Sequence, residues 1–401
     1  MADDLGMETI GTYGGESYQT PNLDELATGG MQFQNCYSTP LCTPSRVQVM
    51  TGKYNFRNYI GFGLLDPNEK TFGHAMQEAG YKTCITGKWQ LFGNKKQKDL
   101  AGGREGTVPL KAGFDTYRLW LINELGSRFK DPMLETFKDG VETFDTEYGP
   151  DKFVEFIESF MTSNKDSSFF VYYPMVLVHD PFVPTPDSPE FDAFDSKAKV
   201  NDTIYFKDMM AYMDKQVGRI VKKVDELGIR ENTVILFIGD NGTDRDVTSK
   251  WKGKSIKGEK GYTLDAGTHV PFIASWKGKI EPNQINENLI DFTDFFPSLL
   301  DIAQSEIPQN KQIDGVSFYP QLLGKESKTR DWIFCSYAPN WGNFTPRTYV
   351  QNTEFKLYKN GEFYNFKNDL YEKSPLSDSD LTKEQLALKA SFQRVLDDMK
   401  I

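Results

Sequence analysis

Val234-Ile235-Leu236-Phe237-Ile238-Gly239-Asp240-Asn241, residues 234–241, is an apolar run that ends in a glycine and two polar residues. A run of this length, flat in polarity, reads as a strand buried on both faces. Upstream of it, Thr203–Leu227 carries apolar residues at helical spacing. The alternation recurs in both directions. Lys82–Ile85, Phe169–Val178 and Pro271–Trp276 read as further buried strands, and Thr71–Ala79, Asp151–Met161 and Leu289–Ala303 as helices. Gly80 supplies a C-terminal cap for the first of these helices. Apolar strands alternating with helices give an α/β fold, with a large mixed, mainly parallel sheet sandwiched by helices.

The pattern changes after about Lys325. Trp332–Tyr337, Thr348–Gln351, Phe355–Tyr358 and Gly361–Phe366 are short, aromatic and alternating, and Asn360-Gly361 is a hairpin signal. They predict a smaller C-terminal antiparallel sheet, closed by an amphipathic helix over Lys383–Met399. The expected domains are 1–325 and 326–401. The segment Phe92–Tyr148 is polar and glycine-rich in its early part and gives no clear assignment.

Bulk properties narrow the partners. The 401 residues suffice for one large domain and an appendage. A net charge of −11 argues against nucleic acid as a general partner, so a polyanion would need a local basic patch. Cys36, Cys42, Cys84 and Cys335 include no C-x-x-C pair, which removes the usual zinc pattern. One disulfide is possible, and no pair is favoured. No apolar run reaches the roughly 18 residues of a membrane span. The chain opens on charged residues, so no signal peptide is expected.

Ligands of open α/β sheets bind beyond the carboxyl ends of strands. Lys88, His179 and Asp240-Asn241 stand there. Alone, each is an ordinary loop or turn residue. A further stretch, Cys42-Thr43-Pro44-Ser45-Arg46, changes their weight. It resembles the Cys-x-Pro-Ser-Arg signature of the type I, formylglycine-dependent sulfatases of the alkaline phosphatase-like superfamily. Ala2-Asp3-Asp4-Leu5-Gly6, Gly87-Lys88-Trp89-Gln90, Val178-His179-Asp180-Pro181 and Lys260-Gly261 resemble other landmarks of that family. Asp314-Gly315 and Asn368-Asp369-Leu370-Tyr371 do so more weakly.

The resemblance implies roles. Cys42 would be oxidised to formylglycine by a maturation enzyme and act as nucleophile, at the start of a helix with Arg46 in its first turns. Asp3, Asp4, Asp240 and Asn241, with the modified Cys42, would hold Ca²⁺, Mg²⁺ being possible, since hard oxygens suit both. Lys88 and Lys260 would hold sulfate, and His179 would protonate the leaving group. Gln90 stands where the family has a histidine, and an amide cannot take up a proton at neutral pH. Asp265 and Ala266 also depart from the family's Glu-Gly, and His269 from its arginine. His269 is read as structural, although it is the spare histidine that could replace the missing base. His74 is expected at a surface.

A lysine run, Lys250, Lys252, Lys254 and Lys257, flanks Trp251 and could attract a sulfated substrate or could be a solvated face. Trp341, Tyr337 and Arg347 could line a sugar cleft or could be packing residues. The family's apolar strand ahead of Asp-Asp would lie mid-sheet, whereas this sequence begins after it. Either the numbering omits residues ahead of Met1 or the sheet is built differently, and if the strand is absent Asp3 and Asp4 rest on a frayed terminus. The implied substrate is a sulfated carbohydrate and the implied location periplasmic or secreted. The alternatives are a phosphonate or phosphate ester hydrolase, or a catalytically weak sulfated-glycan-binding homologue.

Overall fold

The computed structural model describes residues 1–120, 122–123, 126–306 and 312–400. Leu121, Glu124 and Leu125, inside the unassigned stretch Phe92–Tyr148, lie outside the described residues. The strands are β1 (Met31–Tyr37), β2 (Lys82–Lys88), β3 (Thr116–Trp120), β4 (Met133–Thr136), β5 (Gly140–Thr143), β6 (Phe169–Tyr172), β7 (Ile235–Ile238) and β8 (Thr248–Trp251). They continue as β9 (Lys254–Lys257), β10 (His269–Ser275), β11 (Gln284–Asp291), β12 (Ile333–Tyr337), β13 (Arg347–Gln351), β14 (Phe355–Tyr358) and β15 (Phe363–Asn365). β5-β4-β3-β2-β6 and β11-β1-β10-β7 form two mixed arrays, with parallel pairs at β2–β3, β2–β6 and β1–β11.

Helices cover both faces. Phe206–Glu226 and Gly149–Asn164 bury Met209, Met213, Phe153 and Ile157 in one apolar layer. Phe72–Glu78 and Phe295–Ile302 bury Phe72, Met76, Phe295 and Leu299 in the other. Apolar residues recurring three to four apart put these side chains on one stripe of each helix. The expected helix Leu289–Ala303 is shorter than its periodicity suggested. Leu289–Asp291 completes β11, and the helix begins at Phe295 after Asp291 caps a tight turn through Thr293 N. Phe92–Tyr148 resolves into β3, β4 and β5, whose mixed polarity hides them from periodicity.

β12, β13, β14 and β15 form the antiparallel C-terminal sheet, with Tyr358 and Phe363 flanking the Asn360-Gly361 turn. The helix Lys383–Asp398 packs Phe392 and Leu396 on it. Lys356 is sealed inside, bonded to Glu372 at 2.7 Å and to the Thr263 carbonyl at 2.5 Å. This cation ties the small sheet to the loop that carries Lys260. All four cysteines are free and buried.

The N-terminus is not frayed. Ala2 N donates to Ile238 O at 2.8 Å and Asp3 N to Leu177 O at 2.9 Å, while Asp240 N and Val178 N bond back to Ala2 O and Asp3 O. Residues 1–3 thus lie between the two arrays, parallel to β7. They satisfy backbone groups on both neighbours, which is why Asp3 and Asp4 are 2% and 0% exposed. Beyond Tyr172 the predicted strand Phe169–Val178 has no longer partner than these three residues, so its ladder stops early.

Beside Met1 a space opens between β6 and β7. It forms a cavity of about 720 Å³ lined by apolar side chains, among them Phe170, Tyr172, Leu236, Val221 and Phe295. The Met1 amine donates to Tyr173 O at 2.9 Å, and burial pulls its pKa down to about 5, with Asp240 pulling the other way. An amide nitrogen there would make the same bond without a charge to desolvate. Joining five β-branched apolar residues to Met1 is expected to raise Tm by about 5 °C or more, at roughly 1.5–3 kcal/mol per buried side chain. A Gly/Ser extension of equal length should leave Tm unchanged. Equal Tm for the two extensions, measured by calorimetry, would overturn this account of the cavity.

Candidate active site and metal centre

Cys42 opens the helix Cys42–Thr51, which ends on Gly52 in the left-handed region at φ 69°. Pro44 is tolerated because the first turn's N–H groups have no helical partner in any case. The whole helix is buried, and Cys42 sits at its N-terminus beneath Phe62 and Tyr337. Burial pushes the Cys42 thiol upward, partly opposed by Lys88. An unmodified thiol here is protonated and a poor nucleophile.

The other motif residues converge on it from neighbouring strand ends. Lys88, the last residue of β2, donates to Asp3 Oδ2 at 2.7 Å. Arg46 Nη2 donates to the Lys88 carbonyl, while its Nε and Nη1 lack partners. Ligand atoms of Asp3, Cys42 and Asp240 lie within 4.8 Å of one another. Asp240 Oδ1 accepts from Asp4 N at 2.9 Å, and Asn241 Nδ2 donates to Asp4 Oδ1 at 2.9 Å. Lys260 donates to Asp4 Oδ2 and lies 3.1 Å from His179 Nε2.

The charges are strongly coupled. Burial raises the Asp240 carboxyl well above the usual range, and the Asp3 and Asp4 carboxylates raise it further. Burial also opposes ionisation of Asp3, but Lys88, His179 and Lys260 hold it below the usual range. Lys260 is raised, because Asp4 and Asp3 outweigh its desolvation.

These residues fit a hard divalent cation. Asp3 Oδ1 and Asn241 Oδ1 are buried acceptors with no hydrogen-bond donor, beside a third carboxylate. Asn241 has spent its amide hydrogens on Asp4 and on Gly242 O, so its oxygen is the atom left over. An all-oxygen set of three carboxylates and an amide suits Ca²⁺ or Mg²⁺.

His179 is held at both ring nitrogens. Its Nε2 lies 3.1 Å from Lys260 Nζ, and its Nδ1 lies 2.8 Å from Asp180 Oδ1 and 3.0 Å from Arg128 Nη2. His269 is differently placed. Its Nδ1 meets Asp265 at 3.2 Å, its Nε2 meets Gln34 O at 2.8 Å, and it stacks on Tyr37 at 4.5 Å. Both nitrogens are taken, which leaves no free position for a base. His74 accepts from Thr71 N and caps the start of its helix.

Gln90 lies just past β2 at φ 43°, with Oε1 buried and unpartnered. The lysine run is not part of the site. Lys250, Lys252, Lys254 and Lys257 are exposed on the β8–β9 hairpin, while Trp251 anchors it through Tyr13 O. Trp341 stacks on Phe62 at 4.7 Å, at the edge of the layer that contains Cys42. Tyr337 is buried and donates to Gly261 O. Arg347 lies over Tyr358 and reaches Glu362 at 3.4 Å. No motif or spacing marks Arg128, whose Nη2 lies 3.0 Å from His179 Nδ1, or Asp244, 3.9 Å from Lys260.

Comparisons with known proteins point one way. A family model described as Sulfatase matches residues 1–305, and one described as N-sulphoglucosamine sulphohydrolase, C-terminal, matches 258–399. The N-acetylgalactosamine-6-sulfatase of Rattus norvegicus is 29% identical over 80% of this chain and 64% of its own length. The chain thus spans under two thirds of that relative. Arylsulfatase G of Rattus norvegicus is 27% identical over 90% of this chain and 74% of its own. A solved structure of a protein in complex with its substrate D-glucosamine-2-N,6-O-disulfate shares the fold, at TM-score 0.77 and 19% identity, covering 100% of this chain and 96% of that one.

Two measurements test this geometry. Ca²⁺ is expected to raise the Tm of the full chain, by about 2.7 kcal/mol of stability at one hundred times Kd. Asp240→Ala and Asn241→Ala should each flatten that response, and a response that survives both would remove the ion from this cluster. His269 supplies the second. Burial opposes its charge, but Asp265 and Gln34 O raise its pKa overall. A raised folded pKa stabilises fully below the ordinary value of about 6.5 and less as pH climbs through the folded value. His269→Gln should therefore cost more stability near about pH 5.5 than near about pH 9. Equal costs in urea melts would contradict the pairing.

Proposed function

This chain belongs to the sulfatase family, and we propose that it hydrolyses sulfate esters on a carbohydrate through a nucleophile made from Cys42. The observation that carries the reading is one convergence. Cys42, Lys88, Lys260, His179 and the oxygen set of Asp3, Asp4, Asp240 and Asn241 meet at the carboxyl ends of adjacent strands.

A sulfate ester is an anion, so its binding needs cations that are held and not freely solvated. Lys88 and Lys260 supply them, each fixed by a buried carboxylate. Asp3, Asp4, Asp240 and Asn241 would hold Ca²⁺, which supplies Lewis-acid charge at the sulfate oxygens. The aldehyde that a maturation enzyme makes of Cys42 supplies, when hydrated, one hydroxyl to attack sulfur and a second whose proton loss expels sulfate. Arg46 braces this position from below through the Lys88 carbonyl.

The departing sugar oxygen needs a proton. His179 Nε2 and Lys260 Nζ, 3.1 Å apart, share one on that face. Asp180 Oδ1, 2.8 Å from Nδ1, fixes the ring's orientation, with Nε2 turned toward Lys260. Release of sulfate is the weaker half. Gln90 occupies the base position and cannot accept a proton. His269, engaged at both nitrogens, does not replace it. This supports a slow second half, with a sulfated-glycan-binding homologue as the alternative. The family model for residues 258–399 brings an N-sulfate on glucosamine into the substrate range beside O-sulfates. No described helix is long and apolar enough to cross a membrane. The family resemblance favours a periplasmic or secreted location.

The test is co-expression with a formylglycine-generating enzyme, followed by mass analysis of the Cys42 peptide and a substrate panel. Conversion of thiol to aldehyde and sulfate release from O-sulfated or N-sulfated sugars are expected, both lost in Cys42→Ala. Gln90→His should raise steady-state turnover by about 100-fold or more, the lower range for one general base. Preferred cleavage of phosphate diesters or phosphonates would move the chain to that sister activity. Sulfate release unchanged in Cys42→Ala would sink the reading.

A further inference from the structure

We propose that Arg128 binds a second anionic group, a sulfate or a carboxylate, on the sugar that carries the scissile ester. The inference rests on the sulfate-ester reading above and narrows its substrate to doubly anionic sugars. Among the described residues no carboxylate lies within 4.0 Å of Arg128, although it stands beside His179. Lys88 and Lys260 are paired with Asp3 and Asp4, while Arg46 donates to the Lys88 carbonyl.

Arg128 has few partners of its own. Its Nη2 donates to the Asp180 carbonyl, and its Nε is buried with no acceptor. The Asp180 carboxylate does not neutralise it, being turned to His179 Nδ1 at 2.8 Å. Its guanidinium lies 4.5 Å from the Trp120 ring and 5.2 Å from that of Phe129. Trp120 is in turn pinned by its own bond to Gly126 O at 2.9 Å. A guanidinium set against two aromatic rings gives up little freedom when it binds.

A buried cation with an unmet donor is costly to keep. An oxyanion removes that cost, and a planar fork suits a sulfate or carboxylate in two-point contact. Location decides which anion. Lys260 meets His179 at Nε2, whereas Arg128 meets it at Nδ1, on the opposite edge of the ring. The group it meets therefore belongs to the sugar and not to the scissile ester.

Calorimetry on the full chain with Cys42 unconverted tests this without turnover. Three glucosamine-sized probes suffice: one with a single sulfate, one with two sulfates, and a sulfated uronate. One or both doubly charged probes should bind about 10- to 100-fold tighter than the first. Arg128→Ala should erase that ratio, and Arg128→Lys should retain part of it. The preferred probe tells sulfate from carboxylate. Equal affinity for all three, or a preference that survives Arg128→Ala, overturns the inference whether or not the converted enzyme cleaves any ester. If Arg128→Ala fails to fold, an unchanged ratio in Arg128→Lys and Arg128→Gln overturns it as well. Conversely, absent sulfate release with the preference intact would remove the hydrolase reading and leave the anion site standing.

Discussion

Three carboxylates with almost no access to water set the terms for this molecule. Asp3, Asp4 and Asp240 are 2%, 0% and 1% exposed. Like charges at this range cannot all ionise unless something positive sits among them. Lys88 and Lys260 each answer one carboxylate directly, which leaves Asp240 raised by burial and by its neighbours. The unpartnered oxygens of Asp3 and Asn241 lie beside it. The site is thus an excess of oxygen donors balanced by fixed cations, a setting in which a divalent ion and an anionic ester complete the charge.

That balance depends on three residues of backbone. Met1, Ala2 and Asp3 bridge β7 and the segment after β6, so the geometry of the carboxylates is inherited from the middle of the sheet. Anything that loosens these residues moves Asp3 away from Lys88 and Asp4 away from Lys260 together. The C-terminal sheet acts from the other side. Tyr337 bonds Gly261 O and Lys356 bonds Thr263 O, which fixes both sides of the loop behind Lys260. Nucleophile, lysines and carboxylates therefore sit on separate elements that cannot move independently.

Much of this was legible because chemistry left local marks. Apolar runs closed by Asp240-Asn241 and Gly87-Lys88 revealed the strands and where their ends point. The Cys42 pentapeptide tied the scattered polar residues to one another. What stayed hidden lacked such marks. β3, β4 and β5 are short and mixed in polarity, β5 being exposed throughout, and β11 mixes asparagine and glutamate with Leu289 and Ile290 near its end, which looked helical in sequence. Arg128 is set by tertiary packing on Trp120, a contact between residues whose spacing signals nothing. The lysine run, readable as a substrate attractant or as a solvated face, lies on an exposed hairpin.

The two halves of the proposed reaction draw on these parts unequally. Attack on sulfur needs positive charge at the ester oxygens and a proton at the leaving group, and Lys88, Lys260 and His179 are held for both by buried partners. Expulsion of sulfate needs a group that can accept a proton beside residue 42. Gln90 cannot, and its Oε1 is left without a donor in a buried position. His269 has the right chemistry but is fastened between Asp265, Gln34 O and the Tyr37 ring. Buried oxygens of Asp3 and Asp240 lie within 4.8 Å of the Cys42 sulfur. Both belong to the oxygen set that would hold the ion, so a proton taken up there would compete with metal binding for the same oxygen.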